Sequence, residues 1–374
     1  MSKRGKPTTS PRIGTSTFRP PYPPSWFDRL TARVDRLPGP PWGFYAILAV
    51  GLALSISAVQ WREGAYSAGT FNPGHVWIGV SLAYLLGLMH YLDRAASSAI
   101  ASFRPLLSST DTASRAAVQE QSTFDTLSYQ LATLPPRPAL LATIAGAAVA
   151  SIWFAIDVAS GTIPPYLAGT AGTALSTASI MIVFIPGNGL AGLLVYHTIH
   201  QLVHVSRIYT KHARIDIYHL QPLYALSLPG AFTALGLIAF VYVLSAITPT
   251  TAAANPVVIG LSLVFAVIAG ATFALPLLGA HRRLVAEKKV SLAEVSSRFK
   301  ATTVELHRQL DRGRLVQMDH LNKALASLQI EQDLLHKIPT WPWEPGAVRA
   351  VVGALLLPLA VWAIELVLAR LLGV

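Results

Sequence analysis

Apolar residues in this chain gather into long unbroken runs, unlike the short alternating or three-and-four patterns of a soluble core. Runs at 42–61, 76–96, 138–158, 172–205, 222–247, 255–280 and 347–372 are each long enough to cross a bilayer, because roughly 30 Å of hydrocarbon takes about 20 helical residues. A helix satisfies every backbone N–H and C=O internally, as a lipid environment demands. The pattern predicts an all-α polytopic membrane protein with seven transmembrane helices.

The fourth run is the longest and is interrupted by Pro186, Gly187, Asn188 and Gly189. It reads as one long kinked helix rather than two short spans, because a second crossing would carry Arg207, Lys211 and Arg214 to the side that otherwise holds few basic residues.

Between the sixth and seventh runs the pattern changes to helical periodicity. Leu292, Val295, Phe299, Leu306 and Leu310 recur at spacings of three, four or seven, and Met318, Leu321, Leu325, Leu328 and Leu335 repeat the stripe. Asp311, Arg312, Gly313 and Arg314 separate the two as a turn, so residues 281–346 read as a helical hairpin. Its stripe serves self-packing or a subunit interface. Trp341, Pro342, Trp343, Glu344 and Pro345 then mark the return to the membrane, where indoles favour the headgroup level.

A weaker amphipathic stretch at 118–134, stopped by Pro135 and Pro136, is expected at the membrane surface. The chain thus divides into a basic, proline-rich tail (1–40), a six-helix bundle (41–280), the hairpin (281–346) and a terminal transmembrane helix (347–374). Within the tail, the first 24 residues are expected to lack structure, and Trp26, Phe27 and Leu30 suggest a short interfacial helix over 25–37.

Composition agrees with this reading: 52% of the 374 residues are hydrophobic and 13% charged, with a mean hydropathy of +0.48. The formal charge of +11 would suggest nucleic acid in a soluble protein. Here 27 of the 29 Lys and Arg fall on one side of the predicted layout, leaving Arg62 and Arg370 on the other. By the positive-inside rule the amino terminus and hairpin are cytosolic and the carboxyl terminus is outside, in a multi-pass protein of the cell membrane. Membrane lipids are then the expected partners, and nucleic acid is not. With no cysteine, disulfides, thiolate metal sites and cysteine nucleophiles are excluded.

Few residues suggest chemistry. His197, His200 and His204 share one helical face and admit two readings, a metal or haem-like site or a polar face emerging into the cytosol. No carboxylate on that helix completes a ligand set, so neither metal nor cofactor is expected. Gly187, Gly189 and Gly192 spell G-x-G-x-x-G but lie in a membrane run, where they serve a kink or close helix packing through small residues. Two acids are singled out within the spans, Asp157 near the outer headgroups and Glu365 on the last helix. Trp77, Tyr84, Trp153 and Phe154 are candidates for an apolar ligand pocket, against the alternative of interhelical packing and an interfacial belt. No phosphate loop, hydrolase elbow, zinc-protease pair or carboxylate dyad occurs, and no enzymatic activity is expected.

In layout the chain resembles the seven-transmembrane ion-channel superfamily of insect odorant and gustatory receptors and their prokaryotic relatives. The resemblance rests on the cytosolic tail, an extended fourth helix (189–214), a sixth helix continuing into the cytosol (284–310), a returning half-helix (314–337) and a terminal span (347–374). The insect Thr-Tyr and Gln-Phe pairs of the last helix have no counterpart; Pro358, Trp362 and Glu365 stand there instead.

The resemblance implies a homotetrameric, ligand-gated ion channel or chemoreceptor-like protein. Pro358, Trp362 and Glu365 would line the pore, and Leu321, Leu325, Leu328 and Leu335 would belong to the assembly anchor. A small-molecule ligand would bias the last helix. The competing expectations are a transporter or lipid-binding protein, and a non-conducting scaffold or sensor.

Overall fold

The computed structural model describes residues 18–104, 114–161, 172–212, 220–247, 267–313, 315–344 and 346–356, together with Leu167, Thr170 and Ile217. Regular structure among them is helical, with no strand. The chain is an all-α protein with five helices, among the described residues, that are long and apolar enough to cross a membrane.

Residues 18–24, expected to lack structure, instead dock on the chain: Tyr22 donates to the Thr133 carbonyl at 2.8 Å, and Tyr129 donates back to the Tyr22 carbonyl at 2.7 Å. The predicted interfacial helix follows as α1 (Trp26–Val34), opened by a capping box in which Ser25 and Asp28 satisfy each other's backbone N–H. Phe27, Thr31 and Val34 form its buried face. Helix α2 (Pro41–Arg62) begins with proline at its first turn, where the missing N–H costs nothing. Helix α3 (Pro73–Phe103) is capped by Asn72 and extends seven residues beyond the predicted run.

Helix α4 (Ser114–Ala132) is the weakly amphipathic stretch. It lies against the carboxyl-terminal parts of α3 and α6, its Leu127 and Leu131 buried beside Ile100 and Phe103. Helix α5 (Pro136–Ala159) follows after Pro135, and α6 (Ala174–Arg207) after the N-cap Thr173. The Pro186 interruption does not divide α6. Asn188 Nδ2 donates to the Phe184 carbonyl one turn back at 2.9 Å, and a proline is tolerated within such a helix where side chains and neighbouring helices serve the freed backbone groups. A π-helical turn, Ile208–His212, extends it.

The predicted run 222–247 divides into α7 (Gln221–Ala225) and α8 (Leu228–Ile247), since Pro229 cannot donate to the preceding turn. Of the sixth run, residues 267–280 are described. Helical residues 267–274 pass through a 3-10 turn at Leu275–Leu277, where Pro276 breaks the α pattern, into α9 (Leu278–Asp311). Gly313, with φ of +68°, makes the turn into α10 (Leu315–Lys337). The seventh run begins as α11 (Gly346–Leu356) and continues outside the described residues.

Three buried clusters order the bundle. One at the hairpin end joins the carboxyl-terminal parts of α3 and α6 to Leu284 and Val295 of α9 and Leu335 of α10. A central cluster gathers α1, α2, α3, α6, α8 and α11. A small one at the opposite end holds Ile56, Ile78, Leu167, Ile180 and Val183. Stacked rings run from His281 through Trp341 and Trp343 to Phe273, with centroids 4.0, 4.5 and 5.2 Å apart, and tie the hairpin's base to the bundle.

Candidate functional site

The predicted site residues do not converge. Trp77 and Tyr84 pack together against Phe240, with centroid separations of 5.2 to 6.3 Å, and the Tyr84 hydroxyl donates to the Gly236 carbonyl at 2.7 Å. Trp153 is exposed on α5, while Phe154 packs on the small cluster with Ile78. Leu335 is fully buried and Leu328 packs on the same cluster, with Leu321 and Leu325 half-buried along the hairpin. Pro358, Trp362 and Glu365 lie outside the described residues.

The three histidines of α6 each take a separate partner. His197 Nε2 meets Asp93 Oδ1 at 2.8 Å, His200 Nε2 donates to the Gln130 carbonyl at 2.8 Å, and His204 Nδ1 donates to the His200 carbonyl at 2.8 Å. Such engagement suits a polar seam between helices, and among the described residues no group of three candidate ligands could hold a metal.

What the fold assembles instead is a pair of adjacent polar networks on one turn of α3. In the first, Asp35 beyond α1 accepts from Arg94 at 2.5 Å and lies 3.2 Å from His90 Nε2, within ion-pair range but off the hydrogen-bond direction. The other nitrogen of His90, Nδ1, is 2.9 Å from the Tyr45 hydroxyl of α2. In the second, Asp93 Oδ1 also accepts from Gln201 Nε2 at 3.3 Å, while His197 Nδ1 is buried with no hydrogen-bond partner among the described residues. His197 is fully buried, and the Asp93 side chain is 14% exposed.

An imidazole held by a carboxylate on one nitrogen is oriented and keeps a single tautomer when neutral; when protonated it forms a charge-assisted pair. Tyr45 and His90 share a hydrogen bond whose donor is set by the ring tautomer, with Asp35 in ion-pair range of the other ring nitrogen. Polar groups of this kind within spans are costly and mark functional positions by default.

The opposite end carries a smaller pair, Gln60 Nε2 and His75 Nδ1, buried at 2.6 Å. Outside the spans, Asp28 accepts from the Ser25 and Leu134 N–H groups at 2.8 and 3.1 Å, joining α1 to the turn before α5. Burial there pushes its carboxyl above the ordinary aspartate range, its hydrogen bonds opposing the shift.

Sequence reasoning missed the networks. Singling out Asp157 and Glu365 passes over Asp93, which stands inside the second run but beside Arg94 and near the run's end, where a charge is ordinarily solvated. The usable signal was His90, Asp93 and Arg94 within one and a half turns of an otherwise apolar helix.

No protein-family model, curated protein or solved structure matches the chain.

Proposed function

We propose that the chain is the subunit of a homotetrameric, ligand-gated cation channel with seven spans, a cytosolic amino terminus and an outside carboxyl terminus. The last span lines its pore, with Pro358, Trp362 and Glu365 facing the axis, and the α9–α10 hairpin serves as the assembly anchor. The observation that carries this reading is the hairpin. It leaves the bundle at Pro276, returns through Trp341 and Trp343, and hands the chain to α11, so movement of the last helix is mechanically joined to it. Exposed Val290, Ile330 and Leu334 supply apolar surface on its proximal part for contact between subunits.

Purified full-length protein reconstituted in liposomes provides the test. The expected result is a tetramer that passes cations, with flux lost in Glu365→Gln while assembly survives. A monomer, or a tetramer without flux under any tested ligand, would sink the channel.

A second reading, a proton-coupled transporter working within one subunit, is favoured by the Asp93 and His197 pair, which lies wholly inside a single chain. It predicts substrate-driven proton uptake that Asp93→Asn abolishes and that needs no tetramer. Proton movement unchanged in a folded Asp93→Asn protein would eliminate it.

A further inference from the structure

A groove of about 490 Å³ runs between α2 and α3. Its wall is apolar over most of its length, from Val80 and Ala83 past Ala49 and Leu88, and its polar groups gather at one end, where Tyr45, His90 and Arg94 meet. The Tyr84 hydroxyl on its wall is already spent on the Gly236 carbonyl. Such a site is amphipathic along its axis.

Depth and charge identify what fits. Val80 and Arg94 are fourteen residues apart on one helix, about 21 Å along its axis. One leaflet's hydrocarbon is roughly 15 Å thick, half of the bilayer core. The polar end lies at the level of the α1–α2 turn, with Trp42 73% exposed at the mouth, as interfacial indoles are. The Arg94 side chain is 56% exposed, and Arg33 at the end of α1 and Arg36 beyond it are exposed, so three basic groups face the two nearby carboxylates, Asp35 and Asp93. His90, 4% exposed, keeps its Nε2 without a hydrogen bond at the same end.

We propose that this groove is a binding site for an anionic phospholipid of the leaflet on the hairpin side, its acyl chain along Ala49, Val80 and Ala83 and its phosphate against Arg94. The phosphate recruits a guanidinium that Asp35 engages through one nitrogen alone, and leaves the carboxylate to His90. Occupancy then reaches the first polar network directly. The site stands whether or not the last span conducts.

Native mass spectrometry of the full-length protein, released from nanodiscs of mixed phosphatidylglycerol and phosphatidylcholine, tests it. Wild type is expected to retain phosphatidylglycerol in preference, and Arg94→Gln to lower that retention about fivefold, the factor expected for one basic group at a membrane surface. Ala49→Phe, at a partly exposed position of the apolar wall, should reduce retention of both lipids, while Arg298→Gln on the hairpin leaves it unchanged. Equal retention of the two lipids by wild type, or unchanged retention in Arg94→Gln, overturns the proposal. Should Arg94→Gln fail to fold, Ala49→Phe decides, with unaltered retention counting against the site.

Discussion

The chain contains two antiparallel helix pairs built on opposite principles. Helices α5 and α6 meet backbone to backbone. A Cβ added at Gly192 would come within 2.5 Å of the Ala142 carbonyl oxygen and 3.0 Å of Gly146 Cα, and one added at Gly146 would strike the Asn188 carbonyl. The rest of α5 is covered in exposed Leu140, Leu141, Ile144, Val149, Ile152 and Ile156.

Helices α9 and α10 meet through side chains instead. Val295 and Leu335 are buried and Leu292, Leu328 and Leu325 half-buried, while Glu294, Arg298, Asp319 and Lys323 cover the outside. The difference reflects the solvent. Lipid is as apolar as leucine, so helices in it associate through close van der Waals approach, which needs small residues. Water rewards burying a leucine stripe and solvates the charged outer face.

That contrast can be broken most severely at Gly146. Leucine there has backbone on the facing helix and no flexible side chain to displace, so α5 and α6 must separate. The cost is expected at about 3 kcal/mol or more, the upper part of the overpacking range, read as loss of the monodisperse fraction and a lowered melting temperature in detergent. A Gly146→Leu protein as stable as wild type would show that the two helices do not pack as described.

Leu335→Ala probes the other pair, where a fully buried side chain is truncated. About 2–3 kcal/mol is expected from lost burial and the residual cavity, seen as local hydrogen-exchange deprotection of the hairpin while α5 and α6 stay protected. Deprotection spreading equally to α6 would mean that the hairpin and bundle unfold as one unit.

The smallest effect is expected at Glu294→Gln, which removes a pair with Arg298 whose side chains are 59% and 63% exposed. Solvent screening leaves such pairs worth about 0.5 kcal/mol or less, so the melting temperature should barely move and its change should vanish at high salt. A large, salt-insensitive loss would place Glu294 in a contact between subunits.

Much of the fold was legible along the chain because its rules are local. Apolar run length and the turn at Gly313 both act within a few residues. Of the three glycines read as serving a kink or close packing, Gly189 and Gly192 lie against Thr143, Ala142 and Gly146 of α5, whereas a Cβ at Gly187 would meet nothing within 4 Å.

Breaks at Pro229 and Pro276 were less legible, because a proline inside a membrane run is compatible with either a kink or a stop. Leu310 was placed on the inner stripe of the hairpin but is 53% exposed, as the helix ends at Asp311 and Gln309 takes the inward position. The four aromatic pocket candidates failed to converge for a similar reason: spacing along one helix says nothing of which neighbour its face meets.

By itself the sequence determined a helical chain with runs long and apolar enough for a membrane and a hairpin with one apolar stripe, since hydrocarbon forces backbone hydrogen bonds to close within each helix and periodicity marks the buried face. Only the tertiary structure decided that His197 meets Asp93, 104 residues away, that His90 joins Tyr45 to Asp35, and that α2 and α3 leave a groove ending at Arg94. Those pairings depend on how each helix is rotated and how closely it approaches its neighbours, which packing among many side chains sets and no local pattern encodes.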